Sequence, residues 1–167
     1  HSEHEWQLKD PYSYLPVLTD EDLYFFGQGR SYKAYEKMGA NLTTHQGTEG
    51  VHFAVWAPNA DRVSVVGNFN HWDGRTHQMR VLGDSGVWEI FIPNLPEGEI
   101  YRFEIRSQEG ELLLKSDPYA FYSEKRPSNA SITYSLEDKY EWQDDDWLEK
   151  REETEWLEEP MSVYEVN

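Results

Sequence analysis

Between residues 50 and 134 apolar and polar positions alternate in short runs with a period of two, the spacing of a strand with one buried face. In the run from Val51 to Trp56, Val51, Phe53 and Val55 share one face, and His52, Ala54 and Trp56 share the other. Further runs follow at Arg62–Gly67, His77–Leu82, Gly86–Ile92, Glu99–Arg106, Glu111–Lys115 and Ala130–Tyr134. The run at 99–106 alternates most cleanly, with Tyr101, Phe103 and Ile105 inward and Arg102, Glu104 and Arg106 outward. Turn residues separate the runs, as in Pro96-Glu97-Gly98 and Gln108-Glu109-Gly110. Seven short strands at this spacing predict a mainly β fold, a two-sheet β-sandwich.

The flanks carry a helical pattern. Residues 1–18 are aperiodic and read as an extended lead-in. Thr19 is placed to cap a helix, with Asp20, Glu21 and Asp22 in its first turn and Asp22 closing a capping box. Gly27 is expected to stop that helix, and a second short one to run from Ser31 to Met38 before Gly39. After Leu136 the sequence turns acidic. Asp144 or Asp145 is expected to cap a helix carrying Trp147, Leu148 and Arg151, ended by Pro160. The last stretch, Met161–Val166, has the composition of a strand, and a lone strand is not stable. The chain therefore reads as part of something longer, divided into a lead-in with short helices (1–41), the sandwich (42–136), an acidic helical linker (137–159) and a strand that opens a further domain (160–167).

Composition narrows the partners. Net charge is −17, from 32 acidic against 15 basic residues, so phosphate backbones and anionic membrane surfaces are repelled while a neutral ligand is not. No cysteine is present, which rules out disulfides and thiolate metal sites, and no apolar run approaches a membrane span. The six histidines show no metal spacing, the acidic runs read as caps and solvated faces, and neither a phosphate loop nor a nucleophile elbow occurs. No catalytic residue, metal site or cofactor is expected within this chain.

Aromatic residues make up 15% of the chain, and one stands where burial is hardest. In Asn68-Phe69-Asn70-His71-Trp72-Asp73-Gly74 the residue types say turn, yet the turn carries Trp72. Two uses compete. Trp72 can fold back on the sandwich edge, or it can offer a flat indole face to the C–H side of a sugar ring. Asn68, Asn70, His71 and Asp73 could then serve the hydroxyls, and Arg102 could reach the same surface from its strand. Trp88 shares a face with Ile90 and Ile92 and reads as core. Trp142, Trp147 and Trp156 lie in the acidic tail and read as packing between domains.

Five stretches together resemble one family: YFFGQGRSYKAYEKMGAN (24–41), GVHFAVWAPNADRVSVVGNFNHWDG (50–74), GVWEIFIPNLPEGEIYRFEI (86–105), LKSDPYAFYSEKRPSNASI (114–132) and PMSVYEV (160–166). They are similar to the N-terminal part of bacterial 1,4-α-glucan (glycogen) branching enzymes, with a family 48 carbohydrate-binding module at their centre. The resemblance implies an immunoglobulin-like sandwich ahead of a catalytic (β/α)8 barrel, with PMSVYEV matching the first barrel strand. It places the catalytic carboxylates beyond Asn167, so this chain alone is expected to be inactive. It implies α-glucan as ligand and a cytoplasmic location. By the same resemblance Trp72 and Arg102 match glycan-binding positions. A second binding tryptophan has no counterpart in the hairpin at 108–113, and Asn129 or Ser131 stands near a fourth position. A purely structural module that buttresses the barrel, a module of a debranching enzyme, and a free-standing glycogen-targeting module are the alternatives.

Overall fold

In the computed structural model residues 10–137, 139–160 and 162–166 are described. They fall in two compact units, one ending at Ser135 and the other beginning at Leu136. The first unit is mainly β. One antiparallel sheet joins β1 (Gly39–His45), β2 (Thr48–Trp56), β5 (Val87–Pro93) and β4 (Arg80–Val81) in the order β1-β2-β5-β4. The other joins β3 (Ala60–Gly67), β6 (Ile100–Ser107), β9 (Ser131–Ile132) and β8 (Tyr122–Ser123) in the order β3-β6-β9-β8, with β7 (Leu112–Lys115) also on β6.

The core lies between the sheets, where the alternation places it. Val51, Phe53 and Val55 of β2 and Ile90 and Ile92 of β5 meet Val63 and Val65 of β3 and Tyr101 and Phe103 of β6. The Phe53 and Tyr101 rings pack edge to face with centroids 5.0 Å apart. Trp88 is half-buried against this core, and its indole N–H donates to the Ala57 carbonyl at 3.0 Å.

The strands differ from the sequence expectation in three places. β1 was not anticipated, because GANLTTH is mostly polar and only Ala40 and Leu42 of this edge strand pack on the core. The run at 77–82 is not one strand. Gln78 bridges Ser64 at the edge of the β3–β6 sheet, whereas Arg80 and Val81 pair with β5 in the other sheet. The run at 130–134 pairs only at Ser131 and Ile132.

The outer face of the β1–β2–β5 sheet is also buried, and here the lead-in does the covering. Residues 10–18, the described part of the extended segment, cross β5; residues 1–9 lie outside the described residues. His52 and Glu89, on that outer face, are 2% and 1% exposed. The Glu89 carboxylate accepts from His52 Nε2 at 2.9 Å and from the backbone N–H groups of Val17 and Leu18, each at 3.1 Å. Around this knot Tyr14 packs edge to face on Phe91 at 4.9 Å, Arg80 donates to the Tyr14 carbonyl, and Leu15 N–H donates to Gln46. Leu18, Met38, Ala54 and Val87 form a second small core, closed by Leu23 and Phe26 of α1.

Helix α1 (Asp20–Gly27) starts as expected: Thr19 and Asp22 make the reciprocal capping box. Gly27 does not stop it; the helix runs through Gly27 to the cap Gln28, and Gly29 takes the left-handed turn at φ +66°. The expected helix from Ser31 shrinks to a 3₁₀ turn at Ala34–Glu36, whose N-cap is Lys33 rather than Ser31. Gly39 then enters β1 at φ +82°, where a Cβ would crowd Tyr119 and Asp117. In the second unit α2 (Asp145–Glu153) forms behind Asp144, but it ends at Thr154, well before Pro160. The expected strand at the C-terminal end is not formed in residues 162–166, and Met161 and Asn167 lie outside the described residues.

Burial pushes the Glu89 carboxyl up, but the His52 contact and the Leu18 and Val17 N–H groups outweigh it and hold the group below its ordinary value of 4.5. A depressed carboxyl stabilises the fold above its unfolded pKa, and that contribution is lost as pH falls. Glu89→Ala, which strands His52 and two backbone donors, is expected to cost about 3 kcal/mol in urea unfolding at neutral pH. Glu89→Gln is expected to flatten the fall of stability between about pH 5 and pH 3. An unchanged acid profile in Glu89→Gln would show that this carboxylate does not set it.

Candidate functional site

The Trp72 turn begins where β3 ends. Gly67 is extended, and a Cβ there would lie 2.2 Å from the Ile100 carbonyl and 2.6 Å from the Phe69 ring, so the position admits only glycine. A 3₁₀ turn at Asn68–Asn70 reverses the chain. His71 and Trp72 then both take the left-handed conformation, at φ +55° and +60°. Such a residue costs an L side chain roughly 1–2 kcal/mol, so two in succession need support from their surroundings.

That support comes from Asn70, which is buried. Its Oδ1 accepts from Gly67 N–H at 2.9 Å, and its Nδ2 donates to the Val65 carbonyl at 2.8 Å and to His77 Nδ1 at 2.9 Å. His77 Nδ1 accepts this bond, and burial lowers the pKa of the ring. The Trp72 N–H returns to the Gly67 carbonyl at 2.9 Å, and the Asp73 N–H to the Asn70 carbonyl at 3.1 Å. The turn is pinned on the far side by Ser64 Oγ, which donates to the Gly74 carbonyl at 2.6 Å.

The result is a tryptophan held in place with 38% of its surface exposed. Its indole N–H donates to Asn68 Oδ1 at 2.9 Å, which fixes the ring orientation. Beside it runs a groove of about 700 Å³ over the outer face of β3 and β6, with Trp72, Arg62, Glu104, Arg106, Gly110 and Leu112 among its walls. Gly74 lies directly over Glu104, which is itself paired with Arg62 at 2.9 Å. Aromatic face, aliphatic Leu112 and flanking donors and acceptors are the ingredients of a site for a ligand with apolar faces and a polar rim.

The residues singled out in the sequence have separate fates: Asn68 accepts from the Trp72 indole, and His71 lines the groove. Trp72 and Asp73 line the groove. The Asp73 carboxylate is clamped by Arg75 at 2.7 Å, and the bonds from that guanidinium hold it well below the usual carboxylate range. Asn70 is committed to the turn and does not face the groove. Arg102 stands on β6 opposite Val66, donates to Asn129 Oδ1, and is not among the groove residues. The basic residue from β6 that lines the groove, beside Glu104, is Arg106, four positions further along the same outward face. The alternation marked it as outward, but nothing in the sequence says how far the Trp72 turn leans along the strand. Among the described residues no three His, Asp or Glu side chains gather in a group able to hold a metal ion.

His71 is exposed and left-handed, so His71→Gly, although it takes one side chain from the groove wall, is expected to raise stability by up to about 1 kcal/mol, read from the urea midpoint. A loss of stability would show that the imidazole contributes more than its backbone conformation costs.

Comparison with known proteins gives the family of the chain. Residues 37–120 match the family model for carbohydrate-binding module 48 (isoamylase N-terminal domain). The 1,4-α-glucan branching enzyme GlgB of Thermosynechococcus vestitus is 56% identical over 98% of this chain, and the match covers 21% of that relative. The corresponding enzyme of Protochlamydia amoebophila is 53% identical over 95% of this chain and 22% of its own. The chain thus spans about one fifth of the length of these relatives. Among solved structures, ligand-free PulA from Klebsiella pneumoniae superposes with a TM-score of 0.50 at 29% identity, over 66% of this chain and 11% of the other.

Proposed function

The chain belongs to carbohydrate-binding module family 48, and from that premise we propose that it is the glucan-binding accessory region on the N-terminal side of a 1,4-α-glucan branching enzyme. The observation that carries the reading is the likeness to branching enzymes along 98% of the chain, centred on a module that exposes Trp72 beside a groove. In this reading the sandwich is the immunoglobulin-like module, residues 137–159 are a linker, and residues 160–167 become the first strand of a catalytic (β/α)8 barrel. The chemistry, transfer of an α-1,4-glucan segment to a 6-hydroxyl, belongs to that barrel, and the present chain alone is inactive. By likeness to these enzymes the proposed location is cytoplasmic. Among the described residues no helix is long and apolar enough to cross a membrane.

Trp72 is the stacking platform, Asp73 part of the rim, and Asn70 the residue that holds the turn. Arg102, bonded to Asn129, serves a neighbouring part of the surface. A single aromatic platform adds on the order of 1 kcal/mol beyond area burial, so isolated affinity is about millimolar. Tethered to an enzyme that grips the same long chain, such a site gains through effective concentration.

One observation favours a second reading, a structural module that buttresses the barrel. The hairpin at 108–111 brings no aromatic residue to face Trp72. A glycogen affinity gel decides between the two. Retardation of this chain, with at least threefold less for folded Trp72→Ala, is expected for a glucan module. Equal migration with and without glycogen, in a protein shown to be folded by circular dichroism, would favour the buttress.

A further inference from the structure

A second groove adjoins the first. It has a volume of about 440 Å³, and its walls include Pro58, Asp61, Asp84, Trp88 and Gln108. Trp88 contributes a half-buried indole whose orientation is fixed by its bond to the Ala57 carbonyl. The groove therefore repeats the composition of the Trp72 groove: an anchored tryptophan, an apolar wall and polar side chains at the rim.

The seam between the grooves is made by a bulge. Ala60 pairs with Ser107 and Arg62 pairs with Arg106, so Asp61 is an extra residue with no partner on β6. A bulge turns its side chain away from the regular alternation. Here it brings the Asp61 carboxylate to 3.8 Å from Arg106 Nε. Asp61 lines the Trp88 groove and Arg106 lines the Trp72 groove. An exposed ion pair of this length contributes little to stability, so its position is better explained by what passes over it.

We propose that the two grooves form one track for a long α-glucan, with Trp72 under one part of the chain, Trp88 under another, and Asp61 and Arg106 bonding the hydroxyls between them. The carboxylate accepts and the guanidinium donates, and sugar hydroxyls do both. The second aromatic missing from the hairpin at 108–111 is thus supplied from β5. The inference rests on the glucan-binding reading and adds the length of chain the module takes.

The test follows the indole N–H signals of the ¹⁵N-labelled chain, assigned with Trp72→Phe and Trp88→Phe, during titration with maltotriose and with maltoheptaose. The Trp72 signal is expected to move with both sugars and the Trp88 signal with maltoheptaose. Asp61→Ala is expected to weaken maltoheptaose about threefold or more and to leave maltotriose within about twofold. A Trp88 signal that stays fixed while Trp72 saturates with maltoheptaose overturns the track and leaves the Trp72 site standing. So does an Asp61→Ala variant that binds maltoheptaose as tightly as the parent. If neither sugar moves Trp72, the glucan reading of that turn fails and the track fails with it.

Discussion

The fold depends on one buried carboxylate. Glu89 sits on the outer face of a central strand, where a charge would be intolerable without partners. Its partners come from two directions: His52 on the neighbouring strand, and the backbone of Val17 and Leu18 in the lead-in. The first makes the sheet face locally polar. The second converts that polarity into an address, because only a chain that brings two free N–H groups to this point can cover the face. The apolar contacts of the lead-in, among Tyr14, Phe91, Leu18 and Val87, carry less directional information. Position is set by the carboxylate, and the packing around it supplies the area.

The same strap reaches the side of the molecule that carries the Trp72 turn. Tyr12 uses its hydroxyl twice, accepting from the Gln78 N–H at 2.8 Å and donating to the Thr76 carbonyl at 3.3 Å. Residues 76–78 follow the Trp72 turn directly and carry His77, the partner of Asn70. The exposed tryptophan is therefore fixed through two layers of hydrogen bonding that end in the lead-in. A ring anchored in this way would lose little freedom on binding, which suits the platform proposed for it.

Most of the sandwich was legible because its strands alternate cleanly. Val51, Phe53 and Val55, or Tyr101 and Phe103, lie in the core for the reason the pattern gave. What escaped was set by partners distant in sequence. His52 and Ala54 were placed on the face opposite Val51, Phe53 and Val55, and nothing local announces that residues 14–18 will cover them. β1 looked like loop because an edge strand with one packed side can be made of Asn and Thr. The extent of the Ser31 helix was overestimated because capping residues mark a start and say nothing of tertiary support. At the site, Trp72 was legible from its misfit with its neighbours, whereas Asn70 was read as a ligand contact although its amide holds the turn. Arg106 was read as outward, but no local signal says that the Trp72 turn leans toward it and away from Arg102.

The family match spans residues 37–120, yet the parts that must fold together extend further. Cutting at residue 37 would remove the two N–H groups that answer Glu89 and bare Val87, Phe91 and Ala54 to water. Cutting at 120 would remove β8 and β9, and with them Ser131, whose hydroxyl accepts from the Asp117 N–H. The segment that matches the family model and the segment that packs as one unit are thus different lengths. An excised 37–120 fragment would carry the Trp72 loop on a sheet with an uncovered greasy side, prone to stick to its own copies before it meets any sugar.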